Sequence, residues 1–119
     1  TPGGMSWSWY SCEKLKCANF VYADSLTAVS DDTFRYSDNT RYRRAVRDFH
    51  RSFYKLSNVL CDVLLTPHPE ASDMWGRIAR RDAGKRDALF DTGACRAYSN
   101  KARTAFEQRL ERERKTSAQ

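Results

Sequence analysis

Apolar residues in this chain recur mainly at steps of three and four, the repeat of a helix that buries one face. The clearest run is Tyr42, Val46, Phe49, Phe53, Leu56, Leu60 and Val63, which steps 4, 3, 4, 3, 4, 3 without a break. At about 100° per residue these seven side chains fall within a sector of roughly 100°. Pro67 and Pro69 prevent continuation beyond Thr66. The spacing predicts one long helix over residues 40–65, about 39 Å long at ~1.5 Å per residue.

A second stripe, Cys12, Leu15, Ala18, Tyr22, Leu26 and Val29, predicts a helix from about Ser11 to Val29. Between the two lie Ser30, Asp31, Asp32, Ser37, Asp38 and Asn39, side chains that favour turns and caps, so a loop ending in an N-cap is expected. A third helix should begin near Pro69 or Ser72, with Met74, Trp75, Ile78, Leu89 and Phe90 as apolar anchors, weakened by Gly76 and Gly84 and stopped at Gly93. A fourth, from Cys95 to about Lys115, should bury Tyr98, Ala102, Ala105, Phe106 and Leu110 and end in solvated charged turns.

No Val-rich alternation, Asn-Gly hairpin signal or internal repeat asks for a strand. The expected fold class is therefore all-α, a small helical bundle of three to four helices around one long central helix (about 40–65). Pro2, Gly3 and Gly4 delay any helix, so residues 1–10 read as an extended aromatic N-terminal arm, 11–115 as a single helical domain and 116–119 as a frayed tail. A chain of 119 residues suits one modest core and is too short for two. Thr1 stands where an initiator Met would, which reads as a processed form or a fragment.

Composition agrees with a soluble helical protein: 40% hydrophobic, 30% charged, mean hydropathy -0.78. No run approaches the ~20 apolar residues of a membrane span, and the most apolar stretch, Val59 to Leu65, is interrupted by Asp62. The net charge of +6 is uneven. Residues 1–40 hold three basic and five acidic side chains, whereas residues 41–119 hold eighteen and ten. Of the 21 basic residues 15 are Arg, whose planar fork suits carboxylates and phosphates.

That excess has a focus. Arg43, Arg44, Arg47, Arg51 and Lys55 project from the predicted long helix on the side opposite its apolar stripe. The stripe reads as a solvated face, or as a surface for an acidic protein or a phosphate backbone. Asp48 and Asp62 interrupt it, and no helix-turn-helix, RNA-recognition or zinc-finger pattern is present, which argues against nucleic acid. Trp7, Trp9 and Tyr10 would enter a partner's pockets, rest at lipid headgroups or pack back on the core.

Four cysteines, Cys12, Cys17, Cys61 and Cys95, lack the doubled Cys-x-x-Cys of structural zinc. Two disulfides are the leading reading, with buried thiols and a metal site as alternatives. Pairing would imply an oxidising compartment: the mitochondrial intermembrane space, the periplasm or the exterior. His50 and His68 have no His-x-x-x-His or Glu-x-x-His companion and read as structural or exposed. There is no Gly-x-Ser-x-Gly elbow, phosphate-binding glycine loop or dinucleotide fingerprint, so no catalytic residue, metal or cofactor is expected.

Two families share parts of this pattern. Ala23-Asp24-x-Leu26, Phe53 eight residues before Cys61, and Cys95 eight residues before Arg103 make the chain resemble the LprI type of small secreted lysozyme-inhibitor-like proteins. That family usually has Trp where Phe53 stands and Arg-Asp where Ser57-Asn58 stands. Arg41-Tyr42-Arg43, Val46, Arg47 and Phe53 in a basic helix are similar to the LYR-motif proteins of mitochondrial assemblies, without the leading Leu. The expected function is a non-catalytic helical interaction protein. It would be an accessory or assembly subunit docking on a larger protein complex through Arg43, Arg44, Arg47, Arg51, Lys55, Trp7 and Trp9. The LprI-type resemblance implies the alternative of a secreted or periplasmic disulfide-stapled inhibitor, and nucleic-acid binding is the third reading.

Overall fold

The computed structural model describes residues 3–118; Thr1 and Pro2 of the expected arm and Gln119 of the expected tail lie outside them. The elements run β1 (Trp7–Glu13), β2 (Lys16–Tyr22), α1 (Ala45–Asn58), β3 (Val63–Leu65), a 3-10 turn (Pro69–Ser72), α2 (Met74–Asp82) and α3 (Ala94–Ser117). Three strands form one sheet in the order β1-β2-β3. The protein is mixed α/β, and the all-α bundle expected from the spacing is wrong.

The first correction falls on residues 11–29, where two periodicities compete. Trp7 and Trp9, and later Phe20 and Tyr22, alternate with period two, and this pattern wins over the three-and-four stripe. β1 and β2 pair antiparallel from Trp7↔Tyr22 to Glu13↔Lys16, leaving Lys14 and Leu15 as a two-residue turn. Trp9 stacks on its cross-strand partner Phe20 with ring centroids 5.5 Å apart, and Cys12 is bonded to its partner Cys17. Leu15, a core position in the helical reading, is 101% exposed at the turn. Lys14 takes a left-handed φ of 54°, which costs a non-glycine residue about 1–2 kcal/mol and which the pairing offsets. The residues of the expected arm from Trp7 onward are thus strand.

The second correction shortens the long helix. α1 stops at Asn58, and Val59 is extended at φ -74°, ψ 146°. The following residues are captured by other elements. Cys61 is bonded to Cys95 at the start of α3. Asp62 accepts the Asn19 main-chain N–H at 2.7 Å, its own N–H donates to the Asn19 carbonyl at 2.8 Å, and its carbonyl accepts the Asp91 N–H at 2.8 Å. Val63, Leu64 and Leu65 then lie parallel to Phe20, Val21 and Tyr22. A short, wholly apolar triplet is what a strand covered on both faces requires. Residues 40–44 also precede α1, so the seam holds on the helix from Val46 through Leu56, and Leu60 is 75% exposed.

The third predicted helix divides. Its start is the 3-10 turn, α2 ends before Gly84, whose φ is 109°, and Leu89 and Phe90 lie beyond it. Buried Arg77 of α2 holds that later segment by donating to the Leu89 carbonyl at 2.7 Å. α3 continues through Ser117, two residues into the expected tail, and its last turns are anchored by buried Glu113.

Helices α1 and α3 pack together and cover the Val21 and Leu64 side of the sheet. One cluster joins Val21, Ala23, Leu56, Cys61, Leu64 and Cys95; the other joins Tyr36, Ala45, Phe53 and Phe106. Phe49 stacks on Phe106 at 4.4 Å, and the Ser99 hydroxyl donates to the Phe53 carbonyl at 2.7 Å, fixing α1 along α3. All seven residues of β1 remain exposed.

Candidate functional site

Parallel strands that run in one direction end at one edge of their sheet, and α/β sheets bind ligands beyond the carboxyl ends of such strands. Here β2 and β3 are that pair, and antiparallel β1 begins at the same edge. The edge is therefore made by Ser6 ahead of β1, Asp24 and Ser25 after β2, and Thr66 and His68 after β3.

Local hydrogen bonds hold each segment. The Ala23 N–H donates to the Leu65 carbonyl at 2.9 Å, extending the β2–β3 ladder. The Asp24 N–H donates to Ser6 Oγ at 3.0 Å, tying the end of β2 to the approach of β1. The Asp24 carboxylate accepts the Ser25 N–H at 2.8 Å, a turn-forming contact. From α3, the Tyr98 hydroxyl donates to the Asp24 carbonyl at 3.3 Å. Burial, with the nearby Asp24 charge, raises the Tyr98 pKa, so this phenol stays a neutral donor. After β3, Thr66 Oγ1 donates to the His68 carbonyl at 2.8 Å and also pairs with Ser72 Oγ at 2.8 Å. Pro67 and Pro69 flank His68 and restrict its backbone, while its imidazole is exposed.

One edge thus presents an imidazole, a carboxylate and three hydroxyls. A groove of about 530 Å³ leads from it, between Ser6, Trp7, Asp24 and Ser25 and the Arg51 and Lys55 side chains of α1. Among the described residues no group of three or more His, Cys, Asp or Glu is placed to hold a metal ion. All four cysteines are in disulfides. His68 offers one nitrogen ligand, so the donors of this chain do not by themselves fit a metal centre.

The residues singled out from sequence are distributed differently. Arg43 and Arg44 precede α1, and Arg47, Arg51 and Lys55 lie on it, all exposed. Trp7 meets Arg51 and Lys55 at the groove, whereas Trp9 is occupied with Phe20. His50 is exposed on α1, edge-on to the Phe53 and Phe106 rings, and does not line the groove. Asp24, Ser25 and the exposed setting of His68 at a strand end were missed. The available signal was Val63-Leu64-Leu65 followed by Thr-Pro-His-Pro, a buried strand running into a rigid loop. No helix of the described residues is long and apolar enough to cross a membrane.

No family model matches the chain. Solved structures do. The Rm3 metallo-β-lactamase is 46% identical with a TM-score of 0.92, over 96% of this chain and 42% of that one. SMB-1, a metallo-β-lactamase solved with mercaptoacetic acid, is 42% identical with a TM-score of 0.86, over 95% and 43%. MEM-A1, a subclass B3 metallo-β-lactamase from a soil metagenome library, is 38% identical with a TM-score of 0.92, over 98% and 44%. The chain spans about two fifths of the length of these enzymes. Its fold is that of the matched part of a metallo-β-lactamase.

These likenesses overturn the functional expectation. The chain's structural relatives are hydrolytic enzymes, so the readings as a non-catalytic accessory or assembly subunit, an inhibitor or a nucleic-acid binder fall, and with them the expectation that the protein is not an enzyme. The LprI-type and LYR-type resemblances rested on short spacings, and neither accounts for the sheet.

Proposed function

We propose that this chain forms part of a hydrolase of the metallo-β-lactamase kind, and that the edge bearing Asp24, Ser25 and His68 faces its substrate. The observation that carries the reading is the match of 96% of the chain to the Rm3 enzyme at a TM-score of 0.92 and 46% identity. The strand-end position of His68 is independent support, since it follows from the sheet and not from the likeness.

Within this reading each residue has a limited task. The His68 imidazole is exposed and held between prolines, able to donate or accept at the site. Ser25 and Ser6 offer hydroxyls for a substrate's polar groups, and the bonds among Ser6, Asp24 and Tyr98 hold the end of β2 in place. A bound metal would supply Lewis-acid polarisation, but this chain presents too few donors, so no step is assigned through it. The remaining donors would come from chain outside these residues, as the greater length of the relatives allows. The two disulfides suit an oxidising, extracytoplasmic compartment.

The test is a graft in which this chain replaces the segment of the Rm3 enzyme that it matches. Hydrolysis of a chromogenic β-lactam, abolished by a chelator and restored by metal, is the expected result. A folded, metal-loaded graft without hydrolysis would contradict the proposal.

A further inference from the structure

The segment leading into and through α1 concentrates positive charge, of which only Arg51 and Lys55 border the groove at the strand-end site. Arg41, Arg43, Arg44, Arg47, Arg51 and Lys55 are all exposed, against one carboxylate, Asp48. Asp48 is already engaged, accepting the Tyr42 hydroxyl at 2.8 Å and lying 3.8 Å from Arg47. Among the described residues the other five cations enter no ion pair. Elsewhere Arg35, Arg80, Arg81, Arg109, Arg114 and Lys115 each have a carboxylate partner, whereas exposed Arg86 and Arg112 do not.

Placement makes the excess harder to read as ordinary surface. Arg44 is the N-cap of α1 and makes no side-chain capping bond. Ser, Thr, Asp or Asn would satisfy a free N–H there. Cations at this end also oppose the helix macrodipole. Residues that work against local stability with no packing gain point to a role outside the fold.

The geometry selects the partner. The apolar side of α1, with Ala45, Phe53 and Leu56, is fixed in the core, so its outer side is presented lengthwise. Arg47, Arg51 and Lys55 fall within about 80° of one another on that side. Tyr54, 71% exposed, lies beside them. On α1 itself, from Arg47 to Lys55, the row spans roughly 12 Å at ~1.5 Å per residue. The row is broken by Asp48 and carries no nucleic-acid recognition motif, which argues against a groove binder. It suits a flat anionic surface, where Tyr is at home among headgroups and a cluster of four to eight Lys and Arg is the usual recognition element. We infer that the Arg43–Lys55 face docks the protein on a bilayer carrying anionic lipid headgroups.

Flotation of the full chain with phosphatidylcholine vesicles, with and without about a third phosphatidylserine, tests this. Binding is expected with the anionic vesicles only. It should vanish between about 0.1 M and about 1 M salt, as the screening length falls from ~10 to ~3 Å. Arg47→Glu with Arg51→Glu should lower partitioning about tenfold or more. Arg47→Lys with Arg51→Lys should preserve it, since headgroup attraction needs charge and not the guanidinium fork. Equal binding to neutral vesicles would overturn the inference. So would loss in the Lys variant, or tighter binding to duplex DNA than to the anionic vesicles. If the Glu variant fails to fold, as far-UV circular dichroism would reveal, the salt dependence and the Lys variant still decide.

Discussion

The Asp62 carboxylate accepts two hydrogen bonds from Asn19, one from its main-chain N–H at 2.7 Å and one from its side-chain amide at 3.1 Å. The contact crosses 43 positions of sequence and fixes the entry of β3 beside β2. Asp62→Ala would leave the Asn19 N–H without its partner and should destabilise by about 1–3 kcal/mol, read from the urea midpoint. A neutral result would mean that the β2–β3 pairing does not depend on this tie.

Leu60 and Phe53 separate the observed fold from a continuous helix. Phe53 is 2% exposed and Leu60 75%. Phe53→Ala should cost about 3–5 kcal/mol, whereas Leu60→Ala should stay within about 0.5 kcal/mol. Comparable losses in equilibrium unfolding would restore the uninterrupted seam.

The two disulfides should contribute unequally. Cys61–Cys95 closes a separation of 34 residues and Cys12–Cys17 one of 5. On chain entropy the first stabilises by about 4 kcal/mol and the second by about 2 kcal/mol. Paired Cys→Ala variants compared by denaturant unfolding check the order, and a larger loss from the hairpin pair would contradict it.

Glu113 fastens the loop before α1 to the end of α3. Burial alone would raise its pKa. Bonds from the Tyr36 N–H, the Ser37 hydroxyl and N–H, and Arg109 more than offset this and hold it below its ordinary value of 4.5. Because the folded pKa is depressed, its stabilisation is fully present above about pH 4.5 and is lost as pH falls from there through the folded value. Glu113→Gln should lower stability at neutral pH and flatten the acid limb of the stability curve. An unchanged acid limb would remove Glu113 as its source.

The helical parts of the fold were legible where a helix buries one face against its neighbours. Val46, Phe49, Phe53 and Leu56 mark α1, and Phe106 marks α3. The sheet was not, because the signals of its strands are ambiguous: Cys12, Ala18 and Tyr22 fit a helical stripe as well as a strand. What decided between them was the pairing of the hairpin itself, with the Trp9–Phe20 stack and the Cys12–Cys17 bond, to which the Asn19–Asp62 contact adds β3. The strand-end site was hidden for the same reason. His68 stands alone in sequence, and its significance comes from two strands separated by α1 ending at one edge.

The central claim is that this edge belongs to a hydrolase of the metallo-β-lactamase kind, and the two histidines give its most direct measurement. In the Rm3 graft, β-lactam hydrolysis is compared for His68→Ala and His50→Ala, with metal content and folding monitored. Loss of hydrolysis by about a hundredfold or more in folded His68→Ala, on the scale of removing a general acid–base or metal-facing group, with activity retained in His50→Ala, is the predicted result. Full activity in folded His68→Ala would contradict the account.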